Sequence, residues 1–245
     1  SSFRSIHAEI FDSMRSVQND IQNAFDGLYK SKGFKYLRPR EAYEIFAGIL
    51  SPRQGEKFLD VACGPGLLLK EMAKAGAASY GIDISPRAVN MSKQYCPEAE
   101  VVVANAENLP FQDKEFKYVS CIGSLERMID REKAIAEQIR VATEDAKFCY
   151  MVRNSNHLSW KIFMKPLKLY NQKAHQDAMD FQNWYGLFKA CGLRILSIYP
   201  DHWPYYRLRK LIPIWNRNID YSKIRKFPFS LNRAYEFIFV LEKDD

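Results

Sequence analysis

Ten residues, Phe58-Leu-Asp-Val-Ala-Cys-Gly-Pro-Gly-Leu67, decide the fold of this chain. They read as an apolar strand, then a glycine-rich turn, then the start of a helix. Gly64 and Gly66 remove side chains where a ligand must approach the backbone, and the helix that follows offers unpaired N–H groups. Taken alone, this pattern is compatible with a tight turn that binds nothing and with a phosphate-binding loop.

The next apolar run ends in Tyr80-Gly-Ile-Asp-Ile-Ser85 and places Asp83 at the carboxyl end of a neighbouring strand. A carboxylate at this position can accept both hydroxyls of a nucleoside ribose, because ligands bind where the strand order of such a sheet reverses. Asp83 could instead only cap the helix that begins near Pro86. The spacing to the glycine-rich turn favours the ribose role.

From Lys57 onward, short apolar runs alternate with amphipathic stretches, which is typical of buried parallel strands and their crossover helices. The pattern predicts an α/β fold with a doubly wound, mostly parallel, seven-stranded sheet. Strands are predicted at 58–62, 79–82, 101–104, 116–122, 148–152, 193–199 and 235–241. Helices are predicted at 67–75, 86–95, 131–142 and 181–190, with further helices before Lys57, one of them starting at Pro39.

Composition sets broad limits on function. The chain has 245 residues, a formal net charge of +7 and five cysteines that form no C-x-x-C pair. No stretch is apolar enough to span a bilayer and no secretion signal opens the sequence, so we expect a cytoplasmic protein without disulfides or a metal site. The basic balance is compatible with an anionic partner, a membrane surface or simple solubility.

Four motifs in order resemble the class I S-adenosylmethionine-dependent methyltransferases, in the broad group that includes the ubiquinone and menaquinone C-methyltransferases. The resemblance covers residues 57–152, about two fifths of the chain. The motifs are Leu59-Asp-Val-Ala-Cys-Gly-Pro-Gly66, Gly81-Ile-Asp-Ile-Ser85, Ala104-Asn-Ala-Glu-Asn-Leu-Pro-Phe111, and Phe116-Lys-Tyr-Val119 followed by Leu125-Glu-Arg127.

The resemblance implies that S-adenosyl-L-methionine is the cofactor and assigns a part of it to each matched position. The glycine-rich turn and Asp60 would hold the methionine part, Asp83 the ribose, and the residues after Asp83 and around Asn105 the adenine. The implied cofactor-binding residues are Asp60, Ala62, Gly64, Gly66, Asp83, Ile84, Asn105, Ala106 and Cys121.

Four positions depart from the family pattern. Ala62 replaces a glycine and crowds the turn, and Asn105 replaces an aspartate, although its amide oxygen can still accept a hydrogen bond. Lys117 replaces an aspartate and Arg127 a histidine, so the usual rim of the active site is altered. Two alternatives therefore stay open: an enzyme that uses S-adenosylmethionine for another reaction, and a non-catalytic protein that kept the fold.

We expect a single domain over residues 1–245, and the resemblance implies that the last strand of its sheet is antiparallel. The domain comprises an N-terminal helical segment at 1–55, a cofactor-binding core at 56–152, and cap insertions at 153–180 and 201–232. The N-terminal segment and the insertions would cover the site. The stretch 154–179 reads as a long helical, aromatic and basic segment. Aromatic and basic side chains in the insertions suggest a cap over a small-molecule or lipid-like acceptor, including a quinone or an anion, with peripheral membrane contact as a further possibility. These side chains are Trp160, Lys161, Phe163, Lys165, Trp203, Arg207, Arg209 and Trp215.

No catalytic residue can be chosen from the sequence. A base is needed only if the acceptor atom carries a proton at neutral pH. The candidates are His157, Tyr170, His175, Asp180 and His202, and for each of them a structural or surface role is favoured over catalysis. Without an accessory nucleic-acid-binding module, a nucleic-acid acceptor is not expected.

Overall fold

The computed structural model describes residues 2–38, 40–158, 161–162, 166–167, 177–201, 231 and 234–244, with side chains described from Arg15 onward. The chain begins with the long helix α1, Ser2–Lys32, followed by the short 3-10 turns Gly33–Tyr36 and Arg40–Ala42 and by α2, Glu44–Leu50. The helix predicted to start at Pro39 thus begins only at Glu44, and Pro39 itself lies outside the described residues.

A seven-stranded sheet forms the centre of the fold, in the order β3-β2-β1-β4-β5-β7-β6. Its strands are β1 Lys57–Val61, β2 Ala78–Asp83, β3 Glu100–Val103, β4 Phe116–Ile122, β5 Ala142–Arg153, β6 Leu193–Asp201 and β7 Glu236–Lys243. Among the described residues, four helices connect these strands: α3 Leu67–Lys74, α4 Pro86–Tyr95, α5 Arg131–Val141 and α6 Phe181–Ala190. All neighbours up to β5 are parallel, and β7 is antiparallel to both β5 and β6, which confirms the predicted fold class.

Alternate residues of the buried strands pack on opposite faces of the sheet. On one face Leu59 and Val61 join a cluster that includes Trp184 of α6, and on the other Phe58 joins a cluster that includes Phe46 of α2. Helices on both faces explain why the strands read as continuous apolar runs rather than as an alternation. The sequence signal for this core was therefore strong.

The strand order reverses between β1 and β4. From β1 the chain proceeds to β2 and β3 on one side, and then returns to β4 and β5 on the other. The loops after β1 and β4 therefore diverge and leave a crevice at their carboxyl ends, which is where such sheets bind ligands. The crevice lies beside the glycine-rich turn that follows β1.

Strand β5 is longer than the predicted 148–152, because it begins directly after α5 at Ala142. Its first part carries Glu144 and Asp145, which are exposed and pair with Lys114 and Lys117. A charged, solvent-facing segment lacks the apolar run by which the other strands were recognised.

The stretch 154–179 was predicted as one helical segment, and at its ends this is wrong. Asn154 and Met179 meet in an isolated parallel bridge, so the segment leaves the sheet and returns to the same place. The Asn154 side chain donates to the carbonyl of Ala234 at 2.9 Å and accepts from the backbone of Asn156, which favours a turn over a helix. Within the described part of the chain, no helix has the length and apolar character to cross a membrane.

Candidate functional site

Asp83 ends β2 at the crevice, and backbone groups from two loops hold its carboxylate. The N–H of Gly64 donates to Oδ2 at 2.8 Å, and the N–H of Ser85 donates to Oδ1 at 2.9 Å. Burial raises the pKa of Asp83 to about 6, against these two hydrogen bonds. A carboxylate has about four acceptor positions, so two lone pairs remain for a ligand.

Asp60 is the penultimate residue of β1, one strand away, and is almost completely buried. Burial raises the pKa of its carboxyl group to about 7, although the hydroxyl of Ser120 donates to it at 2.6 Å. A carboxylate in this position would be stabilised by a cationic group of a ligand, since Ser120 is the one side chain donating to it among the described residues.

The backbone conformation and the close contacts of the glycine-rich turn explain why positions 64 and 66 are glycines. Gly64 has a φ of 53°, and a Cβ there would lie 3.0 Å from the hydroxyl oxygen of Tyr29. Gly66 has a φ of 82°, and its Cβ would lie 2.3 Å from Oγ of Ser92 on α4. The first glycine therefore leaves space in the crevice, whereas the second allows close packing between two helices.

Helix α1 covers the crevice; we expected the N-terminal helical segment to cover the site, but the sequence did not identify the residues that do so. Gln18, Ile21, Phe25 and Tyr29 recur every three or four residues and line the crevice along its length. This spacing was a readable signal of a buried helical face, but not of what the face covers. Asp26 fixes the helix to the core, because its carboxylate accepts from the hydroxyl of Ser85.

Under α1 the crevice contains two adjoining cavities. The first encloses about 610 Å³ and the second about 790 Å³ of space free of protein atoms, part of it open to solvent. Their walls share Phe25, Tyr29, Ala62, Ser124 and Arg127, so together they form one trough across the ends of the strands. An elongated ligand with two chemically different halves fits such a trough.

The loop after β3 forms one wall of the first cavity. Asn105 accepts the backbone N–H of Glu107 at 3.0 Å through its side-chain oxygen. Glu107 is buried and accepts the backbone N–H groups of Ile129 and Asp130, both at 3.0 Å. Glu107 thereby fixes two loops that face each other across the cavity, and the sequence analysis did not single it out.

Seven of the nine predicted cofactor residues line the trough. Asp83, Ile84, Asn105 and Ala106 belong to the first cavity, Asp60 and Gly64 to the second, and Ala62 to both. The other two lie behind it: Gly66 begins α3, and the side chain of Cys121 is fully buried in the core of the sheet.

A buried ionic network closes the far end of the second cavity. Arg38 contacts Asp201 at 2.6 Å and also pairs with Glu236, which accepts from Arg153 at 3.3 Å. Burial acts to lower the pKa of Arg38, but the two carboxylates hold it above its usual value. Burial likewise acts to raise the pKa of Glu236, and the two guanidinium groups hold it below its usual value. These shifts favour the charged forms of Arg38 and Glu236, whereas burial raises the pKa of Asp201 against the opposing effect of Arg38.

The two candidate bases that the structure describes, His157 and Asp180, lie away from the trough. His157 stacks edge-on against Tyr235 at 5.2 Å between ring centroids, and Asp180 caps α6 by accepting the N–H of Asn183. Neither lines the two cavities. Tyr170, His175 and His202 lie outside the described residues, as do Trp160, Phe163, Lys165, Trp203, Arg207, Arg209 and Trp215.

Lys117 and Arg127, the two altered positions at the expected rim of the active site, lie in different parts of the structure. Lys117 pairs with Asp145 at the start of β5, away from the trough. Arg127 follows β4 in the 3-10 turn Leu125–Arg127 and lines both cavities. Of these two departures from the family pattern, only Arg127 therefore bears on what the trough binds.

Comparison with known proteins agrees with this geometry. The family described as "Methyltransferase domain" matches residues 59–150. The uncharacterized protein MJ1252 of Methanocaldococcus jannaschii is 33% identical over 150 residues, covering 61% of this chain and 55% of the relative. A ubiquinone biosynthesis O-methyltransferase of Methylococcus capsulatus is 38% identical over 93 residues, covering 36% of this chain and 39% of that enzyme. The chain thus matches about half the length, or less, of these two relatives.

The fold is shared with solved structures at lower identity. The geranyl diphosphate C-methyltransferase of Streptomyces coelicolor A3(2), solved with Mg²⁺, geranyl diphosphate and S-adenosyl-L-homocysteine, has a TM-score of 0.61 at 15% identity. The alignment covers 83% of this chain and 80% of that chain. Together with the glycine-rich turn and the strand-end carboxylates, these likenesses show that residues 59–150 form a methyltransferase domain of the class I S-adenosylmethionine-dependent superfamily.

Proposed function

We propose that this protein transfers a methyl group from S-adenosylmethionine to a small-molecule or lipid-like acceptor. The observation that supports it most directly is the trough, which has a carboxylate at the wall of each half. Asp83 lies in the first cavity, where it can accept ribose hydroxyls. Asp60 lies in the second, where it can accept from the cationic amino group of the methionine part.

The remaining walls suit the same cofactor. Ile84, Ala106 and Met128 give the first cavity apolar surfaces for the flat adenine ring. Asn105 keeps a second lone pair on its amide oxygen, beyond the one that accepts from Glu107, for the adenine amino group. Gly64 leaves open the space in which a side chain would block the methionine part.

The chemical demand on the protein is small. The cofactor supplies an activated methyl group, so the chain has to hold the acceptor in line and exclude water. Helix α1 is placed to exclude water, because Phe25 and Tyr29 lie over the junction of the two cavities. The second cavity is the proposed acceptor chamber, since it extends beyond Gly64 to the ionic network around Glu236.

The class of acceptor is supported by the relatives and by one surface. A relative named for ubiquinone biosynthesis favours a quinone-like acceptor, which is apolar and resides in membranes. Leu158, Ile162 and Leu167 are 66%, 50% and 61% exposed, and Lys161 between them is exposed as well. Exposed apolar side chains beside a cation suit peripheral contact with an anionic membrane.

Product analysis tests the proposed reaction. The protein is incubated with S-adenosylmethionine and a panel of acceptors that includes quinones, phenols and amines. Release of S-adenosylhomocysteine that depends on an acceptor supports methyl transfer. Another cofactor remnant would indicate a different group transfer, and binding without turnover on every acceptor would favour a non-catalytic role.

Liposome flotation tests the membrane contact separately. We expect the protein to float with vesicles that contain anionic lipid, and Leu158→Asp with Ile162→Asp to abolish this. Leu196→Asp, at an exposed leucine of β6 on another part of the chain, is the matched control. Failure of the wild-type protein to bind any vesicle would remove membrane contact and leave the reaction unaffected.

A further inference from the structure

Three arginines line the second cavity, and they differ in their partners. Arg38 and Arg153 are neutralised by the carboxylates of the ionic network, chiefly Glu236. Among the described residues, Arg127 has no carboxylate within 4.0 Å of its guanidinium nitrogens. A half-buried cation without an anionic partner faces the trough.

The contacts of Arg127 orient the guanidinium group but do not neutralise it. Its central carbon lies 5.3 Å from the centroid of the Phe25 ring. Its Nε donates to the carbonyl of Gly123 over a long 3.4 Å. Stacking on an aromatic face holds the planar group in place and leaves its outer N–H groups available.

Glu126, which precedes Arg127 in the sequence, forms no hydrogen bond with it. Glu126 is fully buried, and neither of its carboxyl oxygens has a hydrogen-bond partner among the described residues. Burial raises the pKa of Glu126, against the opposing effect of Arg153 and Arg127. Among the described residues, Arg127 therefore has no carboxylate in direct contact.

A bound cofactor would add a second positive charge near Arg127. Its sulfonium group is cationic and, in the proposed function, lies at the junction of the cavities that Arg127 also lines. Two like charges in a partly buried space repel each other unless an anion lies between or beside them. The fork of N–H donors on a guanidinium matches the two oxygens of a carboxylate or phosphate.

We propose that Arg127 binds an anionic oxygen group, a carboxylate or a phosphate, carried by the methyl acceptor in the second cavity. This inference rests on the proposed function and adds the chemical class of the substrate. It makes Arg127 a residue that determines specificity: the anion anchors the acceptor while another of its atoms receives the methyl group.

The test uses sodium benzoate as the probe and benzamide as its uncharged counterpart. Aromatic rings suit the chamber because Phe25, Tyr29 and Tyr36 line it. The full chain saturated with S-adenosylhomocysteine is titrated with each probe at constant ionic strength. We expect benzoate to bind at least about tenfold more tightly than benzamide to the wild-type protein, as for one charge-assisted contact.

Three variants assign that preference to one residue. Arg127→Gln should bind the two probes equally, and Arg127→Lys should keep part of the preference, because it retains the charge without the fork. Arg194→Gln is the control, since it removes an exposed arginine of β6 that pairs with Glu242, and it should behave as wild type. Equal binding of the probes by the wild-type protein, no detectable benzoate binding, or an unchanged preference in Arg127→Gln overturns the proposal.

Titrations with two cofactor analogues distinguish a failure of this proposal from a failure of the proposed function on which it rests. Failure of the wild-type protein to bind S-adenosylhomocysteine overturns the proposed function, and the benzoate titration is therefore repeated without it. In Arg127→Gln we expect the affinities for S-adenosylhomocysteine and for 5′-methylthioadenosine, which lacks the carboxylate, to stay as in wild type. Weakening of the first alone would assign Arg127 to the cofactor and overturn its role in binding the acceptor.

Discussion

Replacing Asp83 with Asn tests the proposed ribose contact with the smallest change of shape. The carboxylate holds the N–H groups of Gly64 and Ser85, one on each oxygen. The amide keeps one acceptor oxygen and turns the other position into a donor, so one buried N–H loses its partner. We expect this to lower the free energy of unfolding by about 1–3 kcal/mol, the cost of one unsatisfied buried donor. A domain of ordinary stability stays folded after such a loss.

The effect on the ligand should be larger than the effect on folding alone would suggest. A ribose hydroxyl that donates to a charged acceptor gains about 1.5–3 kcal/mol, so its loss should weaken S-adenosylhomocysteine binding roughly tenfold to a hundredfold. Calorimetric titration measures the affinity, and urea denaturation without ligand measures stability. Asp113→Asn is the control, because Asp113 is exposed and pairs with Arg140. An Asp83→Asn affinity within about twofold of wild type, a change below 0.5 kcal/mol, would refute the ribose assignment.

Three further predictions follow from the glycine-rich turn and the strand-end acids. Gly64→Val should abolish thermal stabilisation by S-adenosylhomocysteine, because the valine side chain enters the space beside Tyr29. Gly66→Ala should chiefly lower the melting temperature, because the added methyl group meets Ser92. Equal ligand responses in the two variants would contradict this. Ala62→Gly should raise stability by up to about 1 kcal/mol, since Ala62 has a φ of 61°, and a measurable loss in urea denaturation would show that the turn is not strained. Burial raises the pKa of Asp60 to about 7, so the free energy of unfolding should be highest below pH 4 and should decline as the pH rises through 7. Asp60→Asn should flatten this decline. Parallel stability profiles for the wild type and the variant would argue against the shift.

Much of the fold could be predicted from the sequence because its strands are buried on both faces. The core from β1 to β4 was recognised within a residue or two, and α6 was predicted at its observed bounds. The prediction weakened wherever charge broke the apolar run, as at Glu144 in β5. It was wrong at the ends of 154–179, because a side-chain bond of Asn154 to a residue eighty positions away decides that turn. Local periodicity carries no signal for such a contact.

The candidate site was predicted in part. Motifs after the strands led to seven residues that line the trough, and their cofactor roles stay predictions. The N-terminal helical segment was expected to cover the site, but the residues of α1 that line the trough were not identified, because periodicity shows that a face is buried and not what it covers. The partners of Arg38 could not have been recognised from sequence, since 198 residues separate it from Glu236.

Because Arg38 and Glu236 are far apart in the sequence, the two cavities of the trough can form at different times during synthesis. Every described residue that lines the first cavity lies between positions 18 and 129, so its walls can assemble once α5 has emerged. The second cavity needs Glu236 on β7, the strand that is inserted last between β5 and β6. Until β7 is in place, Arg38 and Arg153 lack the carboxylate that neutralises them both, and burying them would be costly. The nascent chain can therefore shape the first cavity, where we propose that the nucleoside binds, well before the second cavity, which we propose receives the acceptor.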